Sequence, residues 1–111
     1  MLIAFAVFVV VHGLIHSLGA AKAFGWAELP QLTEPISPGL GALWLFTALL
    51  FLLTAGSLFA WPRGWWALGF LAVALSMIVI VPSWSDARAG AVANAIVLAG
   101  VVFGMLKRWP L

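Results

Sequence analysis

Four apolar stretches, residues 2–21, 39–60, 64–82 and 87–106, fill most of this 111-residue chain. Each comes close to the roughly 20 residues that an α-helix needs to cross the ~30 Å hydrocarbon core of a bilayer. Hydrocarbon satisfies no backbone N–H or C=O, so such stretches cross it as helices with all their hydrogen bonds inside the segment. The spacing therefore predicts an all-α, four-helix transmembrane bundle, up-down-up-down, with both termini on the same side. Hydrophobic residues make up 66% of the chain and charged residues 7%, a balance that soluble domains do not have. Residues 1–111 then form a single integral membrane domain, and no length is left for a soluble catalytic domain.

The chain has no cysteine and no tyrosine. Disulfides, thiolate metal sites, thiol catalysis and phenolic acid–base chemistry are excluded with them. The formal charge of +2 rests on few residues, and Lys107 and Arg108 near the end read as anchors at a membrane surface, not as a nucleic-acid interface. Ala21-Lys22-Ala23 has the small-x-small form of a cleavage site, yet no basic region precedes the first stretch and two histidines interrupt it. It therefore reads as a retained helix. Arg63, Lys107 and Arg108 fall on the side of the termini, Lys22 and Arg88 on the other. By the positive-inside rule the termini are expected to be cytoplasmic, in a plasma membrane.

The connections carry their own signals. Residues 22–37 form the longest, with Phe24, Trp26, Leu29 and Leu32 suited to lying at headgroup level. Ser37-Pro38 has the form of a helix start, Ser as N-cap and Pro at the first helical position. Trp61-Pro62-Arg63-Gly64 reads as a tight turn, and residues 82–86 as another, with Ser83 or Asp86 capping the last helix.

Polar residues inside the apolar stretches fall at one depth. At 1.5 Å rise per residue, His16 lies about 6 Å and His12 about 12 Å below the end of the first helix. Asn94 lies eight residues below Asp86, Ser76 six before Pro82, and Trp44 and Thr47 six and nine beyond Pro38. All these counts run from the same membrane face. Lipid cannot satisfy polar groups, so these residues and Ser17 are expected to turn inward together. The result is a pocket in the outer half of the bundle, with Asp86, Glu34, Lys22 and Arg88 at its mouth. His12, His16, Trp44, Ser76, Asp86 and Asn94 are its candidate ligand-binding residues.

In His12-Gly13-Leu14-Ile15-His16 two imidazoles lie four residues apart on one helix face. Neutral imidazoles so spaced can grip one divalent transition metal, with Asp86 as the first candidate for a third ligand and Glu34 or Asn94 behind it. The frame matches the zinc-protease helix H-E-x-x-H in its histidines alone. Gly13 stands where that motif carries its general base. A haem would need one histidine from each of two chains. The alternatives are histidines that hydrogen-bond across helices to Ser76, Asn94 or a carbonyl, and a proton relay or small-ligand contact. On the last stretch, Ala89, Ala93, Gly100 and Gly104 form a small-residue stripe, a helix–helix interface that serves a neighbouring helix or a second subunit.

The run from His12-Gly13-Leu14-Ile15-His16 through Lys22-Ala23-Phe24-Gly25, Gln31-Leu32-Thr33 and Pro35-Ile36-Ser37, with Trp84-Ser85-Asp86-Ala87 and Asn94, resembles the four-helix membrane segment of uncharacterised bacterial membrane proteins. That resemblance implies a bacterial origin and a shared polar cluster, and no activity. The size also resembles small multidrug-resistance transporters, but the first helix lacks the carboxylate those carry.

Two functions of different classes fit. One is a polar, histidine-containing pocket that binds a metal ion or small molecule, in transport or sensing. The other is a non-catalytic membrane anchor or accessory subunit, assembling through the fourth stretch as a homo-oligomer or with a partner membrane protein. Acid–base catalysis by two histidines and an aspartate is chemically open, but nothing in the spacing favours it over binding, and binding or assembly is expected over an enzyme.

Overall fold

The computed structural model describes residues 1–111. Helix α1 spans Leu2–Ala23, α2 Pro38–Ala60, α3 Trp65–Ile80 and α4 Trp84–Lys107, with a 3-10 turn, Val81–Ser83, between the last two. Three helical segments are long and apolar enough to cross a membrane: Leu2–Ala23, Pro38–Ala60 and the 43-residue Trp65–Lys107. The expectation of a four-helix, up-down-up-down bundle is corrected by this count, and so is the four-helix resemblance. The stretches read as third and fourth spans are arms of one helical segment. At 16 residues, α3 alone reaches only about 24 Å.

The physical reason lies at Pro82. Proline removes a backbone donor and ends a helix when it falls in the interior, but in the first turn that donor has no helical partner to lose. Pro82 falls in the first turn of the 3-10 segment, so the expected loop is replaced by a helical one. Ser83 departs from helical angles, at φ −110° and ψ 31°. The chain reverses there. The arms pack on each other, with Gly69 against Val101 and Gly104 against Trp65.

The remaining boundaries follow local chemistry. Ser37 accepts the Leu40 N–H at 3.2 Å, with Pro38 in the first turn of α2. The Trp61 carbonyl accepts the Gly64 N–H at 3.1 Å and closes the tight turn before α3. Helix α1 runs two residues past the expected stretch 2–21.

The molecule is inside-out for water. Val7, Val11, Leu14, Ile15, Phe46, Leu49, Leu53, Leu71, Ile78, Val92, Ile96 and Phe103 are exposed, while histidine, threonine, serine and asparagine are buried. Exposed large apolar faces on several helices at once suit hydrocarbon as the solvent. With a long axis of 42 Å, comparable to a bilayer with its headgroups, this is a multi-pass helical membrane protein.

Packing runs α1 on α2, α2 on α3 and α3 on α4, whereas α4 and α1 meet at only a few points. Along α1 the buried positions Ala6, Val9, Gly13, His16 and Ala20 recur at helical spacing. Gly13 lets the backbones close up: a Cβ there would lie 2.7 Å from Phe51 Cβ and 3.2 Å from the Ala48 carbonyl. The apolar core is in two parts. One holds Val9, Phe51, Leu58, Trp65, Ala72, Val97 and Val101; the other holds Ala20, Trp44, Val79 and Ile80.

Candidate ligand-binding site

Four buried polar residues, His12, His16, Ser76 and Asn94, form one hydrogen-bonded network. His12 Nε2 lies 2.7 Å from Asn94 Oδ1, Asn94 Nδ2 lies 2.8 Å from Ser76 Oγ, and Ser76 Oγ lies 2.7 Å from His16 Nε2. His16 Nδ1 returns to the His12 carbonyl at 2.7 Å. Three helices are thereby tied together through α1, α3 and α4.

These contacts fix the protons. A carbonyl only accepts, so His16 carries its proton on Nδ1 and its Nε2 accepts from the Ser76 hydroxyl. Ser76 then accepts from the Asn94 amide, and Asn94 Oδ1 accepts from a proton on His12 Nε2. Turning the Asn94 amide over would make Ser76 donate to Asn94. His16 would then have to donate from both nitrogens as an imidazolium. Burying that uncompensated charge is far more costly than the neutral arrangement. The Asn94 NH₂ also approaches the Met77 sulfur, an acceptor, at 3.1 Å. The contacts thus make His16 neutral, and His12, buried with no ion-pair partner, is neutral by the same cost of burying a charge, with its proton on Nε2, the opposite tautomer.

One nitrogen is left over. His12 Nδ1, a bare acceptor in this arrangement, has no hydrogen-bond partner, and His12 lines a cavity. That cavity holds about 250 Å³, in the outer part of the seam between α1 and α4. Its walls are largely apolar: Ile15 and Leu18 from α1, Ala89, Gly90 and Ala93 from α4, with Leu32 and Ile36 from the 24–37 connection. Trp44 lines it too, packed on Gly19 and 5.2 Å from the His16 ring. Trp44 is 6% exposed, and its indole N–H is the one fully buried side-chain polar atom without a partner. An orphaned buried donor costs about 1–3 kcal/mol.

The connection after α1 is clasped over this end. Thr33 Oγ1 donates to Asp86 Oδ1 at 2.7 Å, and the Glu34 N–H donates to Asp86 Oδ2 at 2.6 Å. Ser85 Oγ donates to Glu34 Oε1 at 2.7 Å, and Lys22 donates to the carbonyls of Leu32 and Glu34. Asp86 sits at the bend between the arms, outside the apolar parts of the chain. First the Glu34 N–H and then the Thr33 hydroxyl hold its carboxyl below the ordinary carboxylate range. It caps no helix by a side-chain bond.

The expected site residues thus divide. His12, His16, Ser76 and Asn94 meet in the network; His12, His16, Trp44 and Asp86 line the cavity. Thr47 and Ser17 turn back to their own helices, donating to the Leu43 and Leu14 carbonyls. The metal reading of His12, His16 and Asp86 finds no support in the side-chain arrangement. No three His, Cys, Asp or Glu side chains converge. Both His16 nitrogens and both Asp86 oxygens are already engaged, leaving His12 Nδ1 as one free ligand atom where a metal needs several. Gly100 and Gly104 serve this chain's own packing, against Phe5 and Trp65, while Ala89 and Ala93 line the cavity. The apolar wall, Ile15, Leu18, Leu32 and Ile36, was not anticipated, because lipid-facing and cavity-facing side chains read alike in an apolar sequence.

Comparison with family models, curated proteins and solved structures finds no match among any of them. The four-helix resemblance has no support there either.

Proposed function

We propose that this membrane protein binds a small lipid-soluble molecule in the cavity between α1 and α4. One observation carries the reading: a cavity of about 250 Å³ with largely apolar walls is lined by His12, whose Nδ1 the protein leaves unpaired. Mostly apolar pockets with a few convergent polar groups are the usual form of small-molecule sites. The closed network behind the pocket holds the His12 ring in place, so the free nitrogen is presented by a rigid support. Ile15, Leu18 and Ala89 are also exposed on the outside of the bundle, so the pocket communicates with the acyl chains and a ligand enters sideways from the bilayer. Transport and sensing are both open to such a site.

The test is photolabelling in lipid nanodiscs with a diazirine-bearing alkyl probe, read by peptide mass spectrometry. Label concentrates on Ile15, Leu18 and Ala93, and Ala89→Phe, which fills the opening from an exposed position, abolishes it. Label spread evenly over the lipid-facing residues of all helices, unaffected by Ala89→Phe, would refute the proposal.

A further inference from the structure

We infer that the 24–37 connection is a lid on the cavity, latched by Asp86, and that its release opens the pocket to water at this end of the bundle. Passage of a ligand between bilayer and water by this route rests on the binding role proposed above. The side opening of the cavity, past Ile15, Leu18 and Ala89, faces acyl chains. The end wall is built differently. Leu32 and Ile36 form part of it, and both belong to a segment without helix or strand. Leu32, Glu34 and Ile36 are half-buried while Thr33 and Pro35 are exposed, the alternation of an extended chain laid across a surface.

The way this wall is held sets it apart. The other walls are helices, with backbone hydrogen bonds along their length. No backbone–backbone hydrogen bond ties residues 33–36 to a helix. The segment is held instead by side chains of the two helices it bridges: Lys22 in the last turn of α1, and Ser85 and Asp86 in the first turn of α4. Asp86 takes two of these bonds and also lines the cavity, so latch and wall meet in one residue. Thr33 and Ser85 are exposed, and water replaces such bonds at small net cost. A wall held by solvent-exposed bonds is the first to open. Its release takes Leu32 and Ile36 out of the cavity lining. The pocket then has one mouth on lipid and one on water, the geometry for exchanging a lipid-soluble molecule with the aqueous phase.

The chain has no cysteine, so single cysteines report without background. Ala93→Cys is the reporter, lining the cavity beyond Asp86 on the same helix. Ala95→Cys, exposed on that helix, is the lipid-facing control. The full chain in lipid nanodiscs is treated with a methanethiosulfonate bearing a trimethylammonium group, whose fixed charge keeps it out of hydrocarbon. Ala93→Cys reacts slowly in the parent. Thr33→Val, which deletes one latch bond from an exposed position, speeds the reaction by roughly three- to tenfold. Asp86→Ala, which deletes two, speeds it more. Ala95→Cys stays unlabelled throughout, and prior photolabelling of the pocket with the alkyl diazirine blocks Ala93→Cys even in Asp86→Ala. Equal rates at Ala93→Cys in the parent and both latch variants would overturn the lid and leave the lipid-side pocket standing. A matching rise at Ala95→Cys would overturn it as well, since the whole fold would then have loosened. Latch-dependent labelling that the diazirine probe leaves unchanged would keep the lid and remove the ligand exchange.

Discussion

The two ends of the seam between α1 and α4 are built from similar small residues on α4 and come out differently. At the end near the termini, Gly100 takes the Phe5 ring and Gly104 the Trp65 indole. Phe5, Trp65 and Trp109 pack edge to face at 5.5–5.9 Å, and Trp65 donates to the Trp109 carbonyl at 2.9 Å. At the end near the bend, Ala89, Gly90 and Ala93 line the cavity instead. A small residue makes room; whether the room is filled depends on the side chain opposite. At the lower end the opposite residues are aromatic: they cover Gly104 fully, while Gly100 still borders a shallow surface depression with Met1, Phe5, Phe103 and Trp109. At the upper end they are Ile15 and Leu18, which point partly to lipid, so the space stays open beside the unpaired His12 Nδ1.

This contrast is broken most forcefully at Trp65. Trp65→Ala removes a fully buried ring from the filled end and costs about 3–5 kcal/mol, measured as unfolding free energy in mixed micelles or by steric trapping. Next in size is the network that divides the ends. Asn94→Ala leaves His12 Nε2–H without its acceptor and Ser76 without a donor, at about 1–3 kcal/mol by the same measurement. A cost near zero would mean that the network does not hold the helices.

The sharpest comparison places the same kind of change at both ends. Gly104→Ala drives a Cβ into the buried Trp65 ring and costs about 1–3 kcal/mol. Ala89→Leu, on the cavity rim, stays within about 0.5 kcal/mol of the parent. Equal costs would remove the distinction between a filled and an open end.

The smallest expected effect is at the clasp. The Asp86 pKa is lowered in the folded protein, so its contribution is present above the ordinary carboxylate pKa and is lost as pH falls through the lowered folded value. The protection of the Glu34 amide, its exchange rate taken relative to the intrinsic rate at each pH, therefore falls on acidification through that range, and Asp86→Asn shows the lower protection already at neutral pH. Exchange indifferent to both would mean that the carboxylate does not hold the connection.

Much of this was legible in the sequence because lipid leaves polar groups few options. Counting residues inward from the membrane face placed His12, His16, Ser76 and Asn94 at one depth, and the structure joins those four. Thr47 and Ser17 lie at similar depth but bond within their own helices, since a hydroxyl reaches the carbonyl three or four residues back. The segment count was not legible. Pro82, Ser83, Ser85 and Asp86 carry the composition of a loop, yet Pro82 falls where its missing N–H costs nothing. The clasp escaped notice because Glu34 contributes its backbone N–H as well as its side chain, and a backbone group leaves no mark in composition. The cavity is a void between elements far apart in sequence, and no residue type announces it.

The central claim is that the network is neutral and leaves one acceptor on His12 at the cavity. Nitrogen-15 NMR of histidine-labelled protein in nanodiscs at neutral pH, with His12→Gln and His16→Gln for assignment, tests it most directly. The account predicts two neutral rings of opposite tautomer, His12 protonated on Nε2 and His16 on Nδ1. An imidazolium at either position, or a proton on His12 Nδ1, would contradict it.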